Sequence, residues 1–486
     1  MKTLACCASG ILLFAACGDN DEHVATDAPI AVDGATIDAG TIDAPAIDAP
    51  MTDGPLPFVP PTPFGIPLAM MGPDQLMTAA AAPGGMFYVG GFAAQTPTGA
   101  RLITVARMST TGPDPTFGTG GVATTALAFV GGGDEIDLVV QPSGKIVVSG
   151  TIANVANPLD RDVALLRLNP NGTLDPTFGV AGVRILDLNT AHNTGAALVG
   201  LDGARGLATN ATGELYLHAN SRGEGNNLAG TPRTDTDFTV VKLSVDGAQD
   251  LTFAGDGKFT LDLQESGANP RGIDALSDGV IASGYANSVG VGSVQPVVYK
   301  LTPVGGLIPG FASGGVFHEQ VLALQTEIYG LAIHGATFTT GGYGRATGTT
   351  NDFVSLKFDS TTGVRDTGFG GAPNGAVVFD PSAAALADNC RSALALPGGK
   401  TLMLGSTGPG NDPAQDAVFA ILTADGMLDT SYGTGINRFS LGTGAEQFWG
   451  AAVSGGNVLL IGHRGAGMTQ TETTNDDSFG IILPLR

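Results

Sequence analysis

The sequence predicts an all-β protein, a seven-bladed β-propeller of four-stranded blades, preceded by an export signal and a tether. Three observations predict it. A strand, glycine turn and second strand recur seven times at a period of about sixty residues, the mark of an array. Glycine accounts for 74 of 486 residues and aromatics for only 6%, which suits many tight turns between short strands. Most units close on one phrase, PDPTFGTGGV at Pro113–Val122 and LDPTFGVAGV at Leu174–Val183, with looser copies at 251–259, 309–317, 366–377 and 428–436.

The chain begins with Lys2 and the apolar stretch Leu4–Ala16, the charged start and short greasy core of a secretory signal, too short to span a bilayer as a permanent helix. Phe14-Ala15-Ala16-Cys17 resembles a bacterial lipobox, departing from it at Phe14, where leucine is usual. The resemblance implies a signal peptide over 1–16 and lipidation of Cys17; ordinary cleavage near Ala16 is the alternative. Two or more acyl chains would anchor the protein stably where one would not.

Residues 17–60 repeat an Asp-Ala-Pro-Ile theme with nine acids and no Lys or Arg, so this stretch has no core to bury and reads as a disordered tether. The remaining residues, 61–486, form the propeller and carry −15 of the formal −23. Clustered Lys and Arg are absent, which disfavours nucleic acid, and no nucleic-acid partner is expected. With Cys6 and Cys7 in the signal and Cys17 lipidated, Cys390 is the one cysteine left in the body, and it reads as a small buried hydrophobe.

Each blade can be followed in the second unit. Asp137–Gln141 is an apolar run, Pro142-Ser143-Gly144 a turn, Lys145–Ser149 a β-branched strand, Asp162–Leu168 a third strand, Asn169–Gly172 a turn and Gly182–Leu188 a fourth strand. The second strand recurs as GMFYVGG, GKIVVSG, GELYLHA, GVIASGY, ATFTTGG, GKTLMLG and GNVLLIG, from Gly85 to Gly462. The seventh unit stops after its third strand, Ser478–Arg486, while a displaced phrase, Thr62-Pro63-Phe64-Gly65-Ile66, stands at the other end of the body. This predicts that the N-terminal segment completes the last blade and removes the free edges of the ring.

The second-strand turns and the LDPTFG-like phrases resemble the delta-60 repeat family, a β-propeller relative of NHL-type repeats, over most of 61–486. The resemblance implies fold and export and brings no catalytic set.

Phe117, Phe178, Phe253, Phe311, Phe369 and Tyr432 recur in six phrases and are therefore scaffold, packed between blades beside a turn. Asp162, Asp237, Asp352, Asp416 and Asp477 start third strands and read as caps of the preceding loops. No DxDxDG-type loop is present, Ala254-Gly255-Asp256-Gly257 being the nearest approach, so no metal set and no cofactor is expected. His192, His218, His318, His334 and His463 form no HExxH or close pair, and no GxSxG, P-loop or CxxC occurs.

Where the units disagree is more telling. Eight residues before the second-strand glycine, at the mouth of the expected channel, stand Met77, Ile136, Arg205, Arg271, Tyr329, Arg391 and Phe448. Arg205, Arg271 and Arg391 with Tyr329 and Phe448 would hold a carboxylate- or phosphate-bearing ligand. Pairing with acids such as Glu327 and Glu446 is the plain alternative.

The expectation is thus a monomeric, lipid-anchored, extracytoplasmic propeller at the outer membrane or cell surface, binding a small anionic ligand or an envelope protein. A lyase or hydrolase working in the channel is the second reading, and an architectural envelope protein the third.

Overall fold

The computed structural model describes residues 58–486 except 69–71, 132–134, 190–200, 228, 264–266, 288–292, 383–385, 409–414, 442–444 and 465–477. The signal, Cys17 and the tether to residue 57 lie outside the described residues, as do His192 and Asp477. The described residues are strands, turns and short 3-10 turns, and no helix among them is long and apolar enough to cross a membrane.

The unit read most fully in the sequence forms close to its expected positions. Asp137–Val140, Ile146–Ala153, Arg161–Leu168 and Val183–Leu186 pair antiparallel in succession. Its turns close as their glycines require: Gly144 and Gly172 hold φ of +79° and +86° and donate their N–H groups to Gln141 and Asn169. Similar antiparallel sheets are built from Asp74–Ala82 to Val122–Ala128, from Gly203–Thr209 to Lys258–Leu261, and from Asn389–Leu396 to Ile436–Phe439. The sheet from Ala268–Leu276 to Val316–His318 is joined to that from Gln325–His334 to Val377–Phe379 by one parallel bridge, Val294 to Gln325.

The C-terminal sheet has strands Glu446–Ser454, Asn457–Arg464 and Ser478–Pro484 and takes a fourth from the other end of the chain. Phe64–Gly65 pairs antiparallel with Ser478–Pro484, Phe64 opposite Gly480 and Gly65 opposite Phe479. The Ile66 N–H donates to the Ser478 carbonyl at 2.8 Å, and buried Asp74 accepts from the N–H groups of Ser478 at 2.9 Å and Leu68 at 3.3 Å. One carboxylate thus ties the two chain ends to the start of the first sheet.

The core lies between sheets, because each sheet has two apolar faces and, among the described residues, no α-helix to cover them. Phe92, Phe129, Ile136 and Val148 fill the space between the first two sheets, Phe238, Val280, Val297 and Tyr299 that between the third and fourth, and Phe87, Val89, Leu459 and Ile461 that between the last and the first. Each first strand packs on the first strand of the next sheet, and Glu446–Ser454 packs on Asp74–Ala82. Burying a large apolar side chain in this way contributes about 1.5–3 kcal/mol.

The recurring phrase is the latch between neighbours. The residue after the phrase aromatic donates its N–H to the carbonyl just before the turn glycine of the next sheet: Gly118 to Asn171, Gly179 to Asp246, Ala254 to Val304, Ala312 to Thr362 and Gly370 to Asp425, at 2.7–2.9 Å. The aromatic lies beneath that glycine, and a Cβ on Gly247 would come within 2.7 Å of the Phe178 ring. The ring also meets a cation, Arg167 at 5.0 Å for Phe178 and Arg107 at 5.5 Å for Phe117, and each guanidinium is in turn ion-paired to the phrase aspartate, Asp175 or Asp114.

Candidate functional site

Six first strands carry a β-bulge, the device by which a strand re-aims one side chain out of its alternation. The register shifts between Leu76 and Thr78, Ala204 and Gly206, Pro270 and Ile273, Ile328 and Gly330, Cys390 and Ser392, and Phe448 and Gly450. The displaced residues are Met77, Arg205, Arg271, Tyr329, Arg391 and Trp449, and Ile136 stands in the corresponding place just before Asp137–Val140. All seven line one cavity of about 200 Å³. Glycine follows four of these bulges because the neighbouring first strand passes too closely for a side chain. A Cβ on Gly330 would stand 2.2 Å from the Ala393 nitrogen.

Of the five residues expected to hold a ligand, the fold brings Arg205, Arg271, Tyr329 and Arg391 to this cavity. Phe448 does not reach it. Its ring is fully buried, 5.2 Å from Phe479 and 5.8 Å from Phe439, and Trp449 takes its place. The hairpin explains the slip. Ser454 pairs with Asn457 across a two-residue Gly455-Gly456 turn, whereas Leu396 pairs with Lys400 across a three-residue turn, so a fixed offset from the glycine falls one residue early in the last sheet.

Arg271 is the paired cation of the site. Its Nη1 donates to Glu135 Oε1 at 2.7 Å and its Nη2 to the Tyr285 and Tyr329 hydroxyls at 3.3 Å, and the guanidinium lies 4.3 Å from the Tyr329 ring centroid. Glu135, not Glu327 or Glu446, is thus the acid it meets. Tyr285, Tyr329 and Tyr343 form a hydroxyl chain with steps of 3.2 and 2.9 Å. Burial pushes the Tyr285 and Tyr343 phenols well above their ordinary range, so they stay neutral. Arg205 Nε donates to Asn220 Oδ1 at 3.0 Å.

Arg391 differs. It forms no ion pair among the described residues, and its guanidinium is sandwiched between Tyr329 and Trp449, 5.3 Å from each ring centroid. The Nε groups of Arg271 and Arg391 and Nε1 of Trp449 are buried donors with no acceptor among the described residues. Three donors lacking acceptors around one cavity make a site for an acceptor-rich, negatively charged group.

Tyr285, Tyr343, Glu135 and Trp449 escaped the sequence reading. Tyr285 and Tyr343 had a signal: each follows a second-strand glycine, Gly284 or Gly342, where other units have Phe92, Thr151 or Ser406. Asp137 lines the cavity as a strap, accepting from Thr78 Oγ1 at 2.7 Å and from the Leu207 N–H at 2.8 Å, and burial pushes its carboxyl up to about 6. Of the described histidines, His463 stands beside the site, its ring centroid 6.2 Å from that of Trp449, and His218 and His334 stand elsewhere. His218 Nδ1–H donates to the Arg271 carbonyl and its Nε2 accepts from Tyr299, and burial lowers its pKa to about 3. His334 bonds Thr339 and Thr401 at 3.2 Å between two sheets.

A family model described as a domain of unknown function, DUF5122, β-propeller, matches residues 141–178, which span the turn, strands and phrase of the second sheet. The chain folds as a β-propeller. Its four-stranded antiparallel blades follow one another with their first strands around one cavity. Among solved structures it is similar to the β-propeller domain of the Trilobed protease from Pyrococcus furiosus, at 10% identity over 85% of this chain and 98% of that one, with a TM-score of 0.41. It is also similar to a protein of unknown function from Dyadobacter fermentans, at 10% identity over 87% and 99% of the two chains and a TM-score of 0.40. Sqt1 of Chaetomium thermophilum, solved bound to the N-terminus of ribosomal protein L10, is 11% identical over 87% and 100%, with a TM-score of 0.40. No curated protein matches the chain.

Proposed function

We propose that this protein is a seven-bladed β-propeller of the cell envelope, its last blade completed by Phe64–Gly65, which binds a small carboxylate- or phosphate-bearing ligand where its first strands converge. The observation that carries the reading is the set of buried donors without acceptors at Arg271 Nε, Arg391 Nε and Trp449 Nε1 around one cavity. Arg391 is its centre, since Arg271 already has Glu135 while Arg391 has two aromatic faces and, among the described residues, no counter-ion. At about 200 Å³ the cavity suits a small anion or the charged end of a larger ligand.

Export and anchoring rest on the lipobox-like Phe14–Cys17 and the acidic tether, which would hold the propeller away from a membrane. Labelling with radioactive palmitate is expected in the wild type and absent in Cys17→Ala; label that persists in the variant would remove the anchor from the reading.

The binding site is tested by thermal unfolding with phosphate, sulfate and small di- and tricarboxylates. An anion at about a hundredfold excess over its Kd is expected to raise Tm by about 2–5 °C. The shift should vanish in Arg391→Gln. A shift of equal size in that variant, or no shift with any of these anions, overturns the site.

A further inference from the structure

We infer that Asp352, Asp380 and Asp388 form a divalent-cation site, suited to Ca²⁺, at the junction of two successive blades and apart from the anion cavity. Asp352 opens a third strand, Asp380 directly follows the fourth strand Val377–Phe379 of that blade, and Asp388 directly precedes the first strand Asn389–Leu396 of the next. One carboxylate oxygen from each lies within 4.8 Å of the others. Two oxygens on opposite sides of a Ca²⁺ ion, each about 2.4 Å from it, stand about 4.8 Å apart, whereas Mg²⁺ draws its ligands in to about 2.1 Å.

Asp388 is the residue that points to an ion. It is 0% exposed; one oxygen, Oδ1, accepts from the Gly408 N–H at 2.9 Å, and the other, Oδ2, has no donor among the described residues. A buried carboxylate with an unmet oxygen beside two further carboxylates is costly without a cation. Arg345 donates to Asn351 Oδ1 at 2.7 Å and Arg438 to the Ser382 carbonyl at 3.0 Å, and among the described residues neither pairs with Asp352 or Asp388. Ser382 Oγ donates to Asp380 Oδ1 at 2.7 Å and fixes its orientation, as an outer-shell partner would.

The molecule contains its own control. In an earlier blade Asp237 and Asp262 occupy the places of Asp352 and Asp380, and with Asp235 they make a similar triad. There Arg233 fills the centre, its Nη2 2.7 Å from Asp237, its Nη1 3.1 Å from Asp262, and both Nε and Nη2 bonded to Asp235. The Arg233 triad thus holds a built-in cation, whereas among the described residues no Lys or Arg pairs with Asp352 or Asp388.

Equilibrium dialysis of the chelator-treated protein against ⁴⁵Ca²⁺ tests this. About one Ca²⁺ per chain is expected, with a Kd near 10⁻⁴ M, weaker retention of Mg²⁺, and loss of uptake in both Asp380→Asn and Asp388→Asn. Asp380 is exposed, so its variant separates loss of a ligand from loss of the fold, which circular dichroism checks. Asp262→Asn, at the Arg233 triad, should bind as the wild type does. No uptake by the wild type, tighter Mg²⁺ than Ca²⁺, or full uptake in folded Asp380→Asn overturns the site. None of these results bears on the anion cavity.

Discussion

At the scale of residues, the latch holds two side chains in a conformation that glycine would adopt more readily. Ala254 and Ala312 have φ of +54° and +46° at the position where Gly118, Gly179 and Gly370 stand in other blades. Ala254→Gly and Ala312→Gly are each expected to stabilise the fold by about 0.5–1 kcal/mol, measured by urea unfolding, despite the entropy glycine adds to the unfolded chain. A second consequence concerns pH. Burial raises Asp202 to about 8 and Asp388 and Glu446 to about 7, while it lowers His218 to about 3 and His463 to about 4. Between the ordinary carboxylate pKa and these raised values the folded state binds more protons than the unfolded one, so stability falls as pH rises. The histidines act with the opposite sign, but only below their unfolded value near 6.5. In EDTA the window from pH 6.5 to 8 is therefore left to the carboxyls, and a loss of about 2–3 kcal/mol is expected by calorimetry. A flat profile would contradict the burial assigned to Asp202. The candidate site was largely legible at this scale, because a position where repeats disagree is freed from the scaffold. Trp449 was missed because a one-residue difference in hairpin length is invisible to an offset counted from glycine.

At the scale of elements, the strands were readable from β-branched runs bounded by glycine, and the phrase aromatics were readable as scaffold from their repetition. The phrase's partner was not: the glycine of the next blade's turn lies some sixty residues further along, and only the fold shows that Phe178 packs beneath Gly247. Phe178→Ala is expected to cost about 3–5 kcal/mol. Gly247→Ala, with φ of +82° and a methyl 2.7 Å from that ring, is expected to destabilise as well. In the double variant the missing ring makes room for the methyl, so the two costs should sum to less than their separate values. Strict additivity in a double-mutant cycle would remove the ring from the latch. The acidic triads belong to this scale too. Asp352 alone reads as a loop cap; it becomes part of a cluster only when a fourth strand and the next blade's first strand bring Asp380 and Asp388 beside it.

At the scale of the whole molecule, the pairing of Phe64–Gly65 with Ser478–Pro484 was legible as a displaced copy of the phrase. Removing residues 58–68 is expected to lower Tm by several degrees and expose the edge of Ser478–Pro484, seen as faster amide exchange there. Protection unchanged by the truncation would show that the pairing contributes little. The arrangement of the blades also makes the anion cavity: seven side chains far apart in sequence meet because each first strand presents one residue to a common centre. The most direct test of that claim is a crystal structure grown with about 10 mM selenate and phased on selenium. An anomalous peak is expected within hydrogen-bond distance of Arg391 and Trp449 Nε1. A cavity filled by water alone, with Arg391 turned onto Glu135 or Glu327, would contradict it.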